Sequence, residues 1–366
     1  MTEFRDTVVS VYDRVLQKEK SRFTVNHQAI RNAIQTMKDV YLPNSAWESD
    51  ATVSVANYND AAHRCAYLHK YAMCYTGMTH DLFYLAVSKS NMIKVYLNAK
   101  EKLRLCSLGG GPGSDLVAML QVFHNCFDFA HCHVTVIDYL AEWRNVFVSV
   151  VRELQSGQYG GIAEMLQPQY FRYEYVQANL LLPLNANIQK IIQQSDFVSM
   201  VKFISAAACS GTRQMVYEIF SCMKPGAFLL FIDNAAGGFL EMVQQVAKQC
   251  GMLSVFGPLK HFEYEDPAYS MERFGYTSQS RSKMSLQVLM KPPLLKTDLP
   301  REPSLDAYSD VDPLVRDFER QCRVDGTPGV YVQPTRSHSN GPGRTGGRTR
   351  QFDEAPEEEI ACCTII

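Results

Sequence analysis

One stretch constrains this chain more than any other: Leu103 to Asp115, reading LRLCSLGGGPGSD. An apolar strand pattern runs straight into Gly109, Gly110, Gly111, Pro112 and Gly113 and leaves as a helical pattern. Glycines are required where a turn leaving a strand takes backbone angles closed to other residues. They are also required where a ligand must approach the main chain with no Cβ in its way. The spacing is G-x-G-x-G. It is one residue tighter than the G-x-G-x-x-G turn that seats a pyrophosphate on a helix N-terminus, whose third glycine would fall at Ser114.

The surrounding pattern is α/β. From residue 103 onward, short apolar runs (LRLCSL, HVTVID, YEYVQA, DFVSMV, AFLLFID, LSVF and SLQVLM) alternate with amphipathic segments. Strands alternating with helices predict a mostly parallel sheet, here of seven strands. Helices are expected at 113–126, 139–156, 187–194, 208–223 and 237–250, the last stopped by Gly251. Residues 1–100 read as a helical cap or lid, with Val8, Val11, Tyr12 and Val15, then Ile30, Ile34, Met37 and Tyr41, at spacings of three and four. After Lys291-Pro-Pro the composition shifts to Pro, Ser, Asp, Arg and Gly, so 101–292 is expected to hold the folded domain and 293–366 a flexible tail.

Three further positions belong with the glycine turn. The second strand pattern ends in Asp138, where a carboxylate can accept from the two vicinal hydroxyls of a ribose. An ordinary helix-capping Asp is the plainer alternative. The third ends in Gln177 and Asn179, whose carboxamides can donate to and accept from an adenine edge, although Asn179 is also a turn former. A fifth strand follows Lys224-Pro-Gly-Ala. Over about 103–291 this order of elements resembles the class I, Rossmann-like methyltransferases that use S-adenosylmethionine. That resemblance implies a cofactor site at Gly109, Gly110, Gly111, Gly113, Asp115, Asp138, Gln177 and Asn179. The chain departs from the family's pattern at Ser107, where the family usually has Asp or Glu two residues before the first glycine; the role then falls to another residue such as Asp115.

Methyl transfer from a sulfonium is an in-line displacement, so alignment in a dry cleft can supply much of the acceleration and no catalytic triad is required. Met200, Val201, Lys202 and Phe203 stand where enzymes that methylate exocyclic or side-chain amides carry D/N-P-P-Y/F, and Cys209 is not placed as a nucleophile of the Pro-Cys type. In the segment before the first strand, Tyr67, Tyr71 and Tyr75 fall at i, i+4 and i+8 and border a pocket or pack as core. Tyr67, Tyr71, His69 and His80 are the candidate catalytic residues, with Tyr75, Thr76 and Thr79 as candidate partners of a cofactor carboxylate.

The formal net charge of −2 offers no field to attract a nucleic acid, which leaves a small molecule or a protein as the expected methyl acceptor. The eleven cysteines show no C-x-x-C pair and no zinc spacing, so the expectation is no metal site and a reducing, cytoplasmic setting. The final Cys363-Thr-Ile-Ile matches a CaaX prenylation pattern with Cys362 beside it, implying a lipoprotein at a membrane surface. Two other readings compete: a methyltransferase-like binding or scaffold protein without turnover, favoured by Ser107, and a nicotinamide-dependent oxidoreductase, disfavoured by the glycine spacing.

Overall fold

The computed structural model describes residues 2–40 and 56–293. Tyr41 and the tail, with Cys362 and Cys363, lie outside the described residues.

The N-terminal part is helical. Helix α1 (Thr2–Arg22) buries Val8, Val11, Tyr12, Val15 and Leu16 on one face, and α2 (His27–Val40) buries Ile30, Ile34 and Met37. Asp60 caps α3 (Ala61–Tyr67) by accepting from the Ala62 N–H. A five-residue π turn, Leu68–Ala72, joins α3 to α4 (Met73–Lys89), and α5 (Asn91–Asn98) is capped by Ser90.

The remainder is β1 (Lys102–Leu108), α6 (Ser114–Cys126), β2 (His131–Asp138), α7 (Trp143–Leu154), α8 (Gly161–Met165), β3 (Phe171–Gln177), α9 (Ala186–Gln194), β4 (Phe197–Val201), α10 (Thr212–Cys222), β5 (Phe228–Asn234), α11 (Phe239–Gln249), β6 (Leu253–Glu265), β7 (Glu272–Arg273), β8 (Tyr276–Thr277) and β9 (Arg281–Met290). Seven strands form one sheet in the order β3-β2-β1-β4-β5-β9-β6, parallel except for β9, which runs antiparallel to both neighbours. The α/β fold with seven mostly parallel strands is as the sequence pattern indicates. The additions are α8, the small β7–β8 ribbon and the length of β6, whose pairing with β9 is broken by register shifts on either side of Gly257-Pro258.

Why the sheet is sandwiched shows in β5. All seven of its residues are buried, and Phe228, Leu230 and Ile232 join the apolar cluster that contains α1 and α3 to α7. Leu229 and Phe231 join the opposite cluster with α9, α10 and α11. A strand covered on both faces has no polar side to present, hence its continuous apolar run. Gly251 ends α11 as expected: at φ +64° it lets the Met252 N–H reach Ala247 O at 2.9 Å and its own N–H reach Lys248 O at 3.2 Å.

Candidate functional site

The carboxyl ends of β3, β2, β1 and β4 open into one cleft, the place where open α/β sheets bind ligands. It is lined by Gly109, Gly111, Pro112, Asp138, Tyr139, Ala178, Asn179, Leu180, Leu181, Val201, Lys202 and Phe203, with Tyr67 and Trp143 among its aromatic walls. About 640 Å³ of space in it is free of protein atoms, its open mouth included.

The turn is built as its glycines require. Gly109, Gly111 and Gly113 have φ of +62°, +50° and +82°. A Cβ on Gly109 would lie 2.2 Å from the Phe203 ring and one on Gly110 2.1 Å from Ser107 Oγ, so these two are glycines for packing. At Gly111 the nearest atoms are those of the Trp143 ring at 3.8 Å. A Cβ there would make only ordinary contact with that ring, and Gly111 lines the cleft, which leaves its main chain as a cradle for a nucleoside ligand.

Asp138 is turned toward this cradle. Its Oδ2 accepts from the Gly111 N–H at 2.8 Å and its Oδ1 from the Leu140 N–H at 2.9 Å. Burial pushes its carboxyl up to about 6, while the N–H groups of Leu140 and Gly111 hold it down from going higher. Each carboxylate oxygen can accept a second bond, so Asp138 keeps capacity for ribose hydroxyls. Asn179 Oδ1 accepts from the Leu181 N–H at 3.0 Å, and the exposed Gln177 donates to Tyr139 O at 3.2 Å.

Of the eight cofactor candidates, Gly109, Gly111, Asp138 and Asn179 line the cleft. Gly110 and Gly113 shape the turn, and Asp115 lies beneath it, accepting from Ser107 Oγ at 2.7 Å and from Ser199 Oγ. Burial raises the Asp115 carboxyl above its ordinary range.

The candidates on the N-terminal helices separate. Tyr67 lines the cleft, its ring 5.2 Å from Trp143 and 5.9 Å from Tyr71, which stacks on Tyr75 at 5.8 Å. The tyrosine stripe is therefore a row of touching rings leading inward from the wall. His69 faces elsewhere: its Nε2–H donates to Tyr276 O at 3.0 Å and burial lowers its pKa. His80 pairs with Asp81 at 2.8 Å and packs on Phe4. Thr76 meets the Tyr12 hydroxyl at 2.8 Å, and Thr79 is fully buried.

Lys202, given no role by sequence reasoning, sits at the β4 end of the cleft with φ +54° and 4% exposure. Its Nζ donates to Asn234 Oδ1 at 2.6 Å and Ser282 Oγ at 3.3 Å and lies 5.4 Å from the centre of the Tyr75 ring. Its position directly after β4 was the available signal.

Among the described residues no helix is long and apolar enough to cross a membrane. Residues 18–254, more than half of the chain, match a protein family described as "Putative SAM-dependent methyltransferase". No curated protein matches. Among solved structures, the chain is similar to the YcgJ protein of Bacillus subtilis at 11% identity, covering 59% of this chain and 99% of that one with a TM-score of 0.35. It is similar to an O-methyltransferase family protein of Burkholderia thailandensis at 16% identity, covering 64% and 61% with a TM-score of 0.38. A TehB-like SAM-dependent methyltransferase of Corynebacterium glutamicum matches at 11% identity, covering 59% and 97% with a TM-score of 0.31.

Proposed function

The chain belongs to this family of SAM-dependent methyltransferases, and from that premise we propose that it transfers a methyl group from S-adenosylmethionine to a small molecule or a protein. The observation that carries the reading is Asp138 accepting the Gly111 N–H at 2.8 Å inside the cleft, because it joins the acidic tip of β2 to the open cradle of the glycine turn. Asp138 would hold the ribose hydroxyls, Gly109 and Gly111 would leave the main chain open to the ligand, and Asn179 and Leu181 would border the adenine. Bound there, S-adenosylmethionine supplies a methyl carbon activated on a sulfonium. Tyr67, Trp143 and Phe203 would exclude water and fix the approach of the acceptor.

A scaffold without turnover has one observation in its favour, the carboxyl of Asp115 lying beneath the turn and not among the cleft residues. Two measurements test the reading, the first for the cofactor site and the second for turnover as against a scaffold. S-adenosylhomocysteine should stabilise the wild type, by about 2.7 kcal/mol at a hundredfold excess over Kd, and should not stabilise Asp138→Ala. Release of S-adenosylhomocysteine from S-adenosylmethionine, alone or with acceptors, supports the enzyme; tight binding with no release supports the scaffold.

A further inference from the structure

The strand order assigns places within the cleft. The tips of β3, β2, β1, β4 and β5 follow one another, carrying Asn179, Asp138, Gly109, Lys202 and Asn234. Neighbouring strands lie about 4.8 Å apart, so Lys202 stands two strands, about 10 Å, from Asp138 and on the far side of the glycine turn. If the nucleoside rests against Asp138, the β4 end is where a methyl acceptor enters.

Lys202 is among the residues that line this end, its ammonium held at the inner side by groups behind the lining. Lys202 is buried in a left-handed backbone conformation that side chains rarely adopt, and such departures gather at functional sites. Asn234 and Ser282 hold Nζ from β5 and β9, and Tyr75 offers it a ring face from α4. Among the described residues Asp233 is a charged neighbour of it: burial raises the Asp233 carboxyl, the Lys202 ammonium draws it back down, and its oxygens accept from the Ser205 and Asn234 N–H groups.

Resting on the methyltransferase reading, we propose that Lys202 selects the acceptor: the methyl goes to an acidic O–H or N–H that enters as its anion, and not to an amine. An anion is attracted to both the ammonium and the sulfonium, whereas a protonated amine meets two like charges in a site of low dielectric. The acid loses its proton to solvent on entry. Its lone pair then forms the bond to the methyl carbon while the carbon–sulfur bond breaks, the electron pair staying on sulfur. The negative charge of the acceptor and the positive charge of the sulfonium cancel.

The test uses 4-nitrophenol, whose anion absorbs visible light and whose acid form does not, on full-length protein loaded with S-adenosylhomocysteine. Wild type is expected to lower the apparent pKa of the bound probe by about one to three units. Lys202→Asn should lose that shift while keeping its thermal stabilisation by S-adenosylhomocysteine, since Asn tolerates the left-handed conformation. Lys202→Arg should retain the shift. A second measurement needs no variant: benzoate should bind wild type at least about tenfold more tightly than benzylamine. An equal shift in Lys202→Asn, binding of the neutral probe, equal affinity for benzylamine, or no binding of either probe overturns the proposal. Absence of stabilisation by S-adenosylhomocysteine in wild type overturns instead the reading on which it rests.

Discussion

Ser107 and Asp115 meet beneath the glycine turn, the serine hydroxyl donating to Asp115 Oδ2 at 2.7 Å from a fully buried position. The two residues flank the turn, one near the end of β1 and the other in the first turn of α6. A carboxyl group therefore stands within hydrogen-bond reach of the strand position that lacks one, supplied from the opposite side of the turn. Ser199 on β4 donates to the same oxygen, so one carboxyl ties two strands to the helix.

This pairing predicts the outcome of exchanging the partners. Ser107→Ala should cost about 1–2 kcal/mol for the lost donor. Ser107→Asp should cost about 3 kcal/mol or more, because two buried carboxyls would share one site. Combining it with Asp115→Ser should recover a large part of that loss, since one carboxyl and one hydroxyl again face each other. Urea denaturation of the two single variants and the double variant measures the coupling; simple additivity would mean the pair is not a unit.

The glycines of the turn should fail in different ways. Gly109→Ala forces a Cβ to 2.2 Å from Phe203 at φ +62°, so about 2–4 kcal/mol of stability should be lost. Gly111→Ala bears the backbone strain alone, roughly 1–2 kcal/mol, but puts its methyl in the cleft. Melting and S-adenosylhomocysteine binding should therefore rank them oppositely, with Gly109→Ala the less stable and Gly111→Ala the larger loss of affinity per unit of stability lost.

Much of this architecture was legible because each strand and turn carries its own requirement. Glycines suit φ of +62° and +50° at Gly109 and Gly111 without the strain a Cβ would add, and only a strand buried on both faces needs the unbroken run of β5. What escaped reading depends on distant partners. Gly257-Pro258 halts an apolar pattern at Phe256, yet β6 continues to Glu265 because β9 gives it a ladder. The five residues of α8 and the two-residue strands of β7 and β8 are too short for any period to register. His69 and His80 share an aromatic-rich segment with Tyr67, but which of them meets the cleft is decided by what packs on each face. The positive φ of Lys202 has no sequence signature at all.

His69 should behave as a structural histidine. Its Nε2–H donates to Tyr276 O, and burial lowers its pKa from the usual value of 6.5. The neutral ring is the folded form, so its contribution is fully present above about pH 6.5 and is lost as pH falls through the lower folded value. His69→Asn should flatten that part of the melting profile between about pH 7.5 and 5 and leave S-adenosylhomocysteine affinity unchanged. A loss of affinity at constant stability would bring His69 back to the cleft.

Asp138 should produce opposite pH trends in free and liganded protein. Burial raises its carboxyl from 3.8 to about 6 in the folded chain. Its stability contribution is therefore fully present below about pH 3.8. As pH rises toward about 6 the unfolded chain ionises first, and the contribution is lost. Ligand binding follows the other sign, because ribose hydroxyls donate best to the ionised carboxylate. At about pH 5, one unit below the folded value, only about a tenth of the sites are ionised, so S-adenosylhomocysteine should bind about tenfold more weakly than near pH 7. Asp138→Asn should remove both trends and bind weakly throughout, since its amide oxygen can take only one of the Gly111 and Leu140 N–H groups while its NH2 meets the other donor and cannot accept from ribose hydroxyls. Calorimetric titration at the two pH values, beside melts of the free protein, reads both signs in one series. A wild-type affinity that does not change with pH would mean that the ribose is held by some group other than this carboxylate.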